Sequence, residues 1–349
     1  YYSVIGGWVI KYLVEYFRGN AKLLAEDGYF TDFISNGVST ELCFVAFCAF
    51  TLIIIFAGVQ NGIERVSKIM MPILIVLIAV YSVTRPGALA GVKYFLVPNV
   101  KNFSWMTVVS AMGQMFYSLS IAMGILITFG SYMKKDTAIE DSTRNVEIFD
   151  TGIAIMAGLM IIPAVFAFSG GDPDTLQAGP SLMFITIPKV FQNMGFGTVI
   201  GIVFFLLVLF AAVTSSIALT ESAVSTFEDE LGWGRKKATV LVGVIMLALG
   251  SLSSLGYGPL AGIKIIGMQF LDLFDFLTNS VMMPIAALLT SLFVSRVVGI
   301  DKIEAEIIHG ESAFRRKKVF VVMIKYLCPV FAIIILLSSV ANALGWIKM

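Results

Sequence analysis

Phe210-Ala211-Ala212-Val213-Thr214-Ser215-Ser216-Ile217-Ala218 lies inside an apolar run that stretches from about Gly201 to Leu219. Three adjacent hydroxyls in the middle of such a run decide how the chain is read. The run is long enough to cross the hydrocarbon core of a bilayer, where no water can bond to them. Each hydroxyl must bond instead to protein, to a bound ion or to a bound solute. The stretch therefore points to a membrane helix with a polar site at mid-depth.

The rest of the chain has the same character. Of its 349 residues, 58% are hydrophobic and only 13% are charged, more apolar surface than a soluble domain of this length can hide. Nine segments of about 20 residues are long enough to span. They begin near Tyr1, Thr40, Val66, Trp105, Val146, Gly197, Lys237, Met268 and Lys318. The expected fold is an all-α membrane protein, with residues 1–349 forming a single transmembrane domain.

The net charge of +1 says nothing about partners, but its distribution orients the chain. Alternate loops carry Arg65, Lys68, Lys134, Lys135, Arg144, Arg235, Lys236, Lys237, Arg296, Lys302, Arg315, Arg316, Lys317 and Lys318. The opposite side holds only Arg18, Lys22, Arg85, Lys93, Lys101, Lys189, Lys264 and Lys348. The first set is placed in the cytoplasm by the excess of basic residues on that side. The protein is then a multi-pass component of the inner (plasma) membrane with its C-terminus outside.

Cys43 and Cys48 share one expected helix and point to different faces, so with Cys328 they read as packing residues. His309 falls in a basic cytoplasmic loop and reads as a solvated side chain. No metal-ligand cluster, phosphate loop or nucleophile–base pair occurs in the sequence, so an enzyme is not expected, and nothing points to nucleic acid. Gly62 and Pro72 bracket the start of the third span and weaken its helix there. Gly170-Gly171-Asp172-Pro173 opens an outer loop that runs on through Ala178-Gly179-Pro180 to an amphipathic stretch, Ser181 to Val190.

A second polar interruption lies in the fourth span. Gly113-Gln114-Met115-Phe116-Tyr117-Ser118-Leu119-Ser120-Ile121-Ala122-Met123-Gly124 sets Gln, two Ser and small residues in mid-membrane. Such residues either tighten helix packing or mark a broken helix whose freed backbone groups face a cavity. Two interruptions in one chain favour the cavity.

At these residues the chain resembles the neurotransmitter:sodium symporter family. Tyr1-Tyr2 ahead of Trp8 resembles the family's third helix, and Gln114 to Gly124 its broken sixth helix. Gly179-Pro180-Ser181-Leu182-Met183-Phe184-Ile185 resembles its large outer loop, Ala211-x-x-Thr214-Ser215-Ser216 its eighth helix, and Phe274-Asp275-Phe276 its tenth. By that register the chain holds helices three to eleven. The opening text, Tyr1-Tyr2-Ser3-Val4-Ile5-Gly6-Gly7-Trp8, is already helical and has no initiator Met, so two further helices are expected upstream.

The resemblance implies roles residue by residue. The Ala211 carbonyl and the Thr214 and Ser215 hydroxyls supply oxygens to one Na⁺, and Ser118 and Asp150 to another. Asp150 stands where the family carries Asn, and its fixed negative charge would replace the chloride that many animal members require, because a second anion beside it is repelled. Read without the family, Asp150-Thr151-Gly152 could instead cap a helix start. Tyr2, Tyr117, Ser118, Ser120, Ala122, Met123, Ser215 and Leu219 line the substrate site. Met123 stands where some members carry Phe, which suits large apolar side chains. Asp275 is the acidic half of an outer gate, and Asp229, braced by Tyr132, that of an inner one.

The expected function is sodium-coupled symport of a small amino acid, hydrophobic or aromatic and of the L series, by alternating access and without chloride. No cofactor is expected beyond Na⁺ as the coupling ion. The amino acid, Na⁺ and the lipid bilayer are the partners, and a homodimer with a second copy is left open. The alternative is a truncated membrane scaffold or partner subunit that does not transport. A channel would show a continuous polar stripe, whereas the polar residues here cluster at mid-depth.

Overall fold

A computed structural model describes residues 1–57, 87–169, 179–311 and 313–346. The third expected span with Gly62 and Pro72, and the Gly170–Ala178 part of the outer loop, lie outside the described residues. Among the described residues the regular elements are helices, and the one isolated β-bridge joins Ile265 to Met268. Helices are what a bilayer demands, since each backbone N–H finds its carbonyl within its own segment. Six of them are long and apolar enough to cross a membrane: Gly37–Phe56, Ile139–Ala167, Gly197–Leu231, Arg235–Leu255, Phe270–Val298 and Lys317–Ala343.

In chain order the helices are α1 (Tyr2–Phe17), α2 (Ala21–Leu24), α3 (Tyr29–Ser35), α4 (Gly37–Ala57), α5 (Ala88–Leu96), α6 (Trp105–Ser118), α7 (Ile125–Ser131) and α8 (Ile139–Ser169). They continue with α9 (Ile187–Gln192), α10 (Gly197–Leu231), α11 (Arg235–Leu255), α12 (Phe270–Asp275), α13 (Met283–Phe293), α14 (Ile300–Gly310), α15 (Lys317–Val322) and α16 (Cys328–Ala343). The α8 helix starts earlier than the expected Val146, because the charged turn Glu140-Asp141-Ser142-Thr143-Arg144 is helical and projects beyond the apolar part. The outer-loop stretch from Ser181 forms a π-helical turn, Leu182–Thr186, that runs directly into α9.

The chain divides into two compact units, residues 1–98 with 153–272, and residues 99–152 with 273–349. In the first unit α1 packs on α4 and α10, and α4 on α11. Lipid gives helices no hydrophobic reason to associate, so close backbone approach has to hold them together. Gly7 shows this: a Cβ there would lie 2.7 Å from the Phe44 amide nitrogen and 2.8 Å from the Cys43 carbonyl carbon. Above this contact sits an aromatic cluster of Trp8, Tyr12, Phe30, Phe184 and Phe205, with ring centroids 5.0–6.5 Å apart. The buried Tyr12 hydroxyl donates to the Phe184 carbonyl at 2.7 Å, which ties the π turn of the outer loop to α1. Lys189 on α9 pairs with Asp27 and holds that exposed carboxyl below its ordinary range.

In the second unit α6 opens with a capping box, Ser104 and Thr107 bonding each other's backbone amides. Glu311, just past α14, caps the start of α8 by accepting from the Glu140 amide at 2.6 Å and the Asp141 amide at 3.3 Å. Glu140 in turn accepts from the Arg315 and Arg316 amides at 2.9 and 3.0 Å. These charges satisfy the orphan amides of the α8 first turn and anchor the loop between α14 and α15. The apolar centre of this unit is Phe116, Met283, Ala287, Ala332 and Ile335.

Gly7→Ala is expected to destabilise the protein by about 1–3 kcal/mol, because its methyl group meets backbone that cannot rotate away. Thermal unfolding in detergent checks this through a lowered midpoint.

Candidate functional site

The fourth expected span is interrupted. Its helix stops at Ser118 and resumes at Ile125. Between them Ser120, Ala122 and Gly124 take φ values of 54°, 62° and 79°. Left-handed backbone at Ser and Ala is costly for an L-residue and survives only where surroundings hold it. The Ile121 amide still reaches back to the Phe116 carbonyl, and the next turn closes with the Thr128 amide on the Gly124 carbonyl. Amides in the first turn of the resumed helix have no carbonyl of their own helix to bond. Their positive dipole end faces the break.

Ser118, at the last turn before the break, donates its hydroxyl to Asp150 Oδ1 at 2.7 Å. Asp150 lies well inside the continuous α8 helix, so it does not cap a helix start. Tyr117, the residue before Ser118, is half-buried. Ser120 is half-buried, while Ala122 and Met123 pack against the apolar centre of the second unit.

In the first unit the hydroxyl run on α10 is divided three ways. Thr214 Oγ1 donates to the Ala211 carbonyl at 2.9 Å, which leaves two oxygens side by side with lone pairs to spare. Ser215 is exposed and hydrogen-bonded to the Tyr2 hydroxyl. Ser216 is buried and shares a 3.1 Å hydrogen bond with Thr51 of α4. Leu219, one turn on from Ser215, is half-buried. Ala211, Thr214, Ser215 and Tyr2 are thus gathered in one place, with hard oxygens of the kind a small hard cation prefers.

The acidic residues at the helix ends are placed as follows. Asp275 closes α12, is exposed, and accepts from Asn279 Nδ2 at 2.7 Å. Asp229 is exposed near the end of α10, and Tyr132 is exposed just past α7 with its ring edge toward Phe129. Two features escaped the sequence reading. Arg235 binds Glu221 through both guanidinium nitrogens at 2.9 and 2.6 Å and approaches Glu228 at 3.6 Å. Glu221 and Glu228 are two turns apart on one face of α10, a spacing that could have signalled a shared cation. Thr51 is the other, and nothing in its neighbourhood marks it.

Comparison with known proteins agrees with this architecture. The model of the sodium:neurotransmitter symporter family matches residues 10–346. The uncharacterized sodium-dependent transporter YhdH of Bacillus subtilis strain 168 is 34% identical over 347 residues, 97% of this chain and 76% of that protein. An uncharacterized sodium-dependent transporter of Haemophilus influenzae is 31% identical over 97% of this chain and 75% of its own length. Among solved structures, MhsT in complex with L-phenylalanine superposes with a TM-score of 0.84 at 33% identity, covering 97% of this chain and 77% of that one. The chain spans about three quarters of these relatives, and it belongs to the sodium:neurotransmitter symporter family of secondary transporters.

Proposed function

We propose that this protein carries a hydrophobic or aromatic L-amino acid inward together with Na⁺ and without chloride. The observation that carries the reading is the interrupted helix at Ser118–Ile125 with Ser118 bonded to Asp150. A broken helix in mid-membrane persists where its backbone is buried in protein or lines a cavity that a solute or ion can enter. By the family resemblance, the Tyr2 hydroxyl is assigned to the substrate carboxylate. Ser118 and Asp150 offer oxygens to one Na⁺. The Ala211 carbonyl, Thr214 and Ser215 offer oxygens to another.

Sodium beside Asp150 offsets that carboxylate's charge, which would otherwise repel the carboxylate of an amino acid bound nearby. Substrate binding and sodium binding therefore strengthen each other, and the gradient of one moves the other. Asp150 supplies a fixed negative charge next to its Na⁺, so a chloride there is repelled rather than required. By the family resemblance, Tyr117, Ser120, Ala122 and Met123 in the second unit, and Leu219 in the first, are assigned to the substrate. The L-phenylalanine bound by MhsT supports an aromatic substrate of the L series. Asp275 and Asp229 with Tyr132 act at the outer and inner gates. The protein sits in the plasma membrane with the Arg315–Lys318 cluster inside and its C-terminus outside.

Binding of labelled L-phenylalanine to the full-length protein should require Na⁺, fail in K⁺, and be unchanged when gluconate replaces chloride. Binding that is equal in K⁺ would overturn the coupling, and a chloride requirement would overturn the role given to Asp150. Asp150→Asn removes the charge and should weaken binding in chloride-free sodium buffer by about 10- to 100-fold, with added chloride restoring part of it. Thr214→Val should raise the half-effective sodium concentration by about tenfold.

A further inference from the structure

Ser216 belongs to the polar run but not to its open side. Its hydroxyl is 2% exposed and lies 3.1 Å from Thr51 Oγ1, itself 0% exposed. Phe47 and Ile54, each about a turn from Thr51 on α4, form one apolar cluster with Val213 and Ile217, which flank Ser216 on α10. In this surrounding the bond joins α4 to α10, and its loss would leave a polar atom facing hydrocarbon. The Ser216 carbonyl is occupied as well, accepting from Thr220 Oγ1 at 2.7 Å.

Successive residues on an α-helix are about 100° apart, so Thr214 projects about 160° away from Ser216, on the opposite face of α10. Whatever fixes Ser216 also fixes the direction in which Thr214 and Ser215 present their oxygens. Near Ser216 the buried neighbours on α10 are Val213, which is apolar, and Thr220, whose hydroxyl bonds back to α10 itself, so neither fixes the rotation of this part of α10 against α4; Arg235 grips Glu221 more than a turn further on. A turn of about 20° would displace an oxygen about 5 Å from the axis by about 2 Å. Ligand distances in a cation site tolerate only about 0.2 Å.

We infer that Thr51 and Ser216 form a positioning pair that sets the rotation of α10, and thereby the sodium affinity of the oxygens at Ala211, Thr214 and Ser215, positions that lie about 100–160° around the helix from Ser216. The inference rests on the transport reading above. Thr51 touches neither ion nor substrate and acts through Ser216 alone.

The test is a sodium titration of the thermal unfolding midpoint of the full-length protein, with KCl at equal ionic strength as reference. It needs no knowledge of the substrate. Unfolding in KCl reports packing, and the half-effective sodium concentration reports positioning. Thr51→Val keeps the shape and removes the hydroxyl, and it should raise the half-effective sodium concentration about three- to tenfold. Ser216→Ala removes the same bond from the other side and should do the same, so the reading survives a folding failure of either variant. Thr51→Ser should restore the wild-type value, and the Thr51→Val/Ser216→Ala double variant should match the single ones. A sodium-specific shift in the wild type with unchanged midpoints in Thr51→Val and Ser216→Ala overturns the inference alone, as does a Thr51→Ser variant as impaired as Thr51→Val. The absence of any sodium-specific shift in the wild type overturns the transport reading and the inference with it.

Discussion

The hydrocarbon core offers no hydrogen-bond partner, and every other feature of this chain follows from that. Backbone must close on itself as helix, and side-chain hydroxyls must find protein or a passing ion. Where the helix opens between Ser118 and Ile125, the Leu119, Ser120 and Ile121 amides turn back to carbonyls of α6, and the next helix starts afresh at Ile125. Where hydroxyls gather at Thr214–Ser216, each takes a separate partner: its own helix, Tyr2, or the neighbouring α4.

Within this constraint the protein divides its labour. Close glycine contacts such as Gly7 on Phe44 and the aromatic cluster around Tyr12 build a rigid set of helices in the first unit. The second unit carries the strained backbone at Ser120 and Ala122 and the charged strap from Glu140 to Arg316. Strained backbone persists only when its surroundings over-determine it. At Ala122 the packing of this residue and Met123 against the apolar centre of the second unit supplies that determination.

Much of this was legible in the sequence, and the reasons differ by element. The spans and the break announce themselves through composition, since apolar length and a cluster of Ser, Gly and Gln need no knowledge of the fold. The pairing of Ser118 with Asp150 came from family register, because nothing local joins two residues on different helices. The Thr51–Ser216 bond had no signal at all: both residues are ordinary hydroxyls in apolar runs, and only tertiary packing brings them together. The beginning of α8 was missed because the charged turn at Glu140–Arg144 reads as loop until Glu311 is seen to cap it. The π turns at Leu182–Thr186 and Phe276–Met282 likewise have no periodic signature distinct from α-helix.

The central claim is that two polar interruptions in an apolar bundle hold sodium and couple it to an amino acid. Equilibrium binding of radioactive sodium to the purified full-length protein, with and without L-phenylalanine, tests this most directly. The account predicts saturable sodium binding that potassium does not displace and that the amino acid strengthens. Sodium binding that fails to saturate, or that potassium displaces equally, would contradict it.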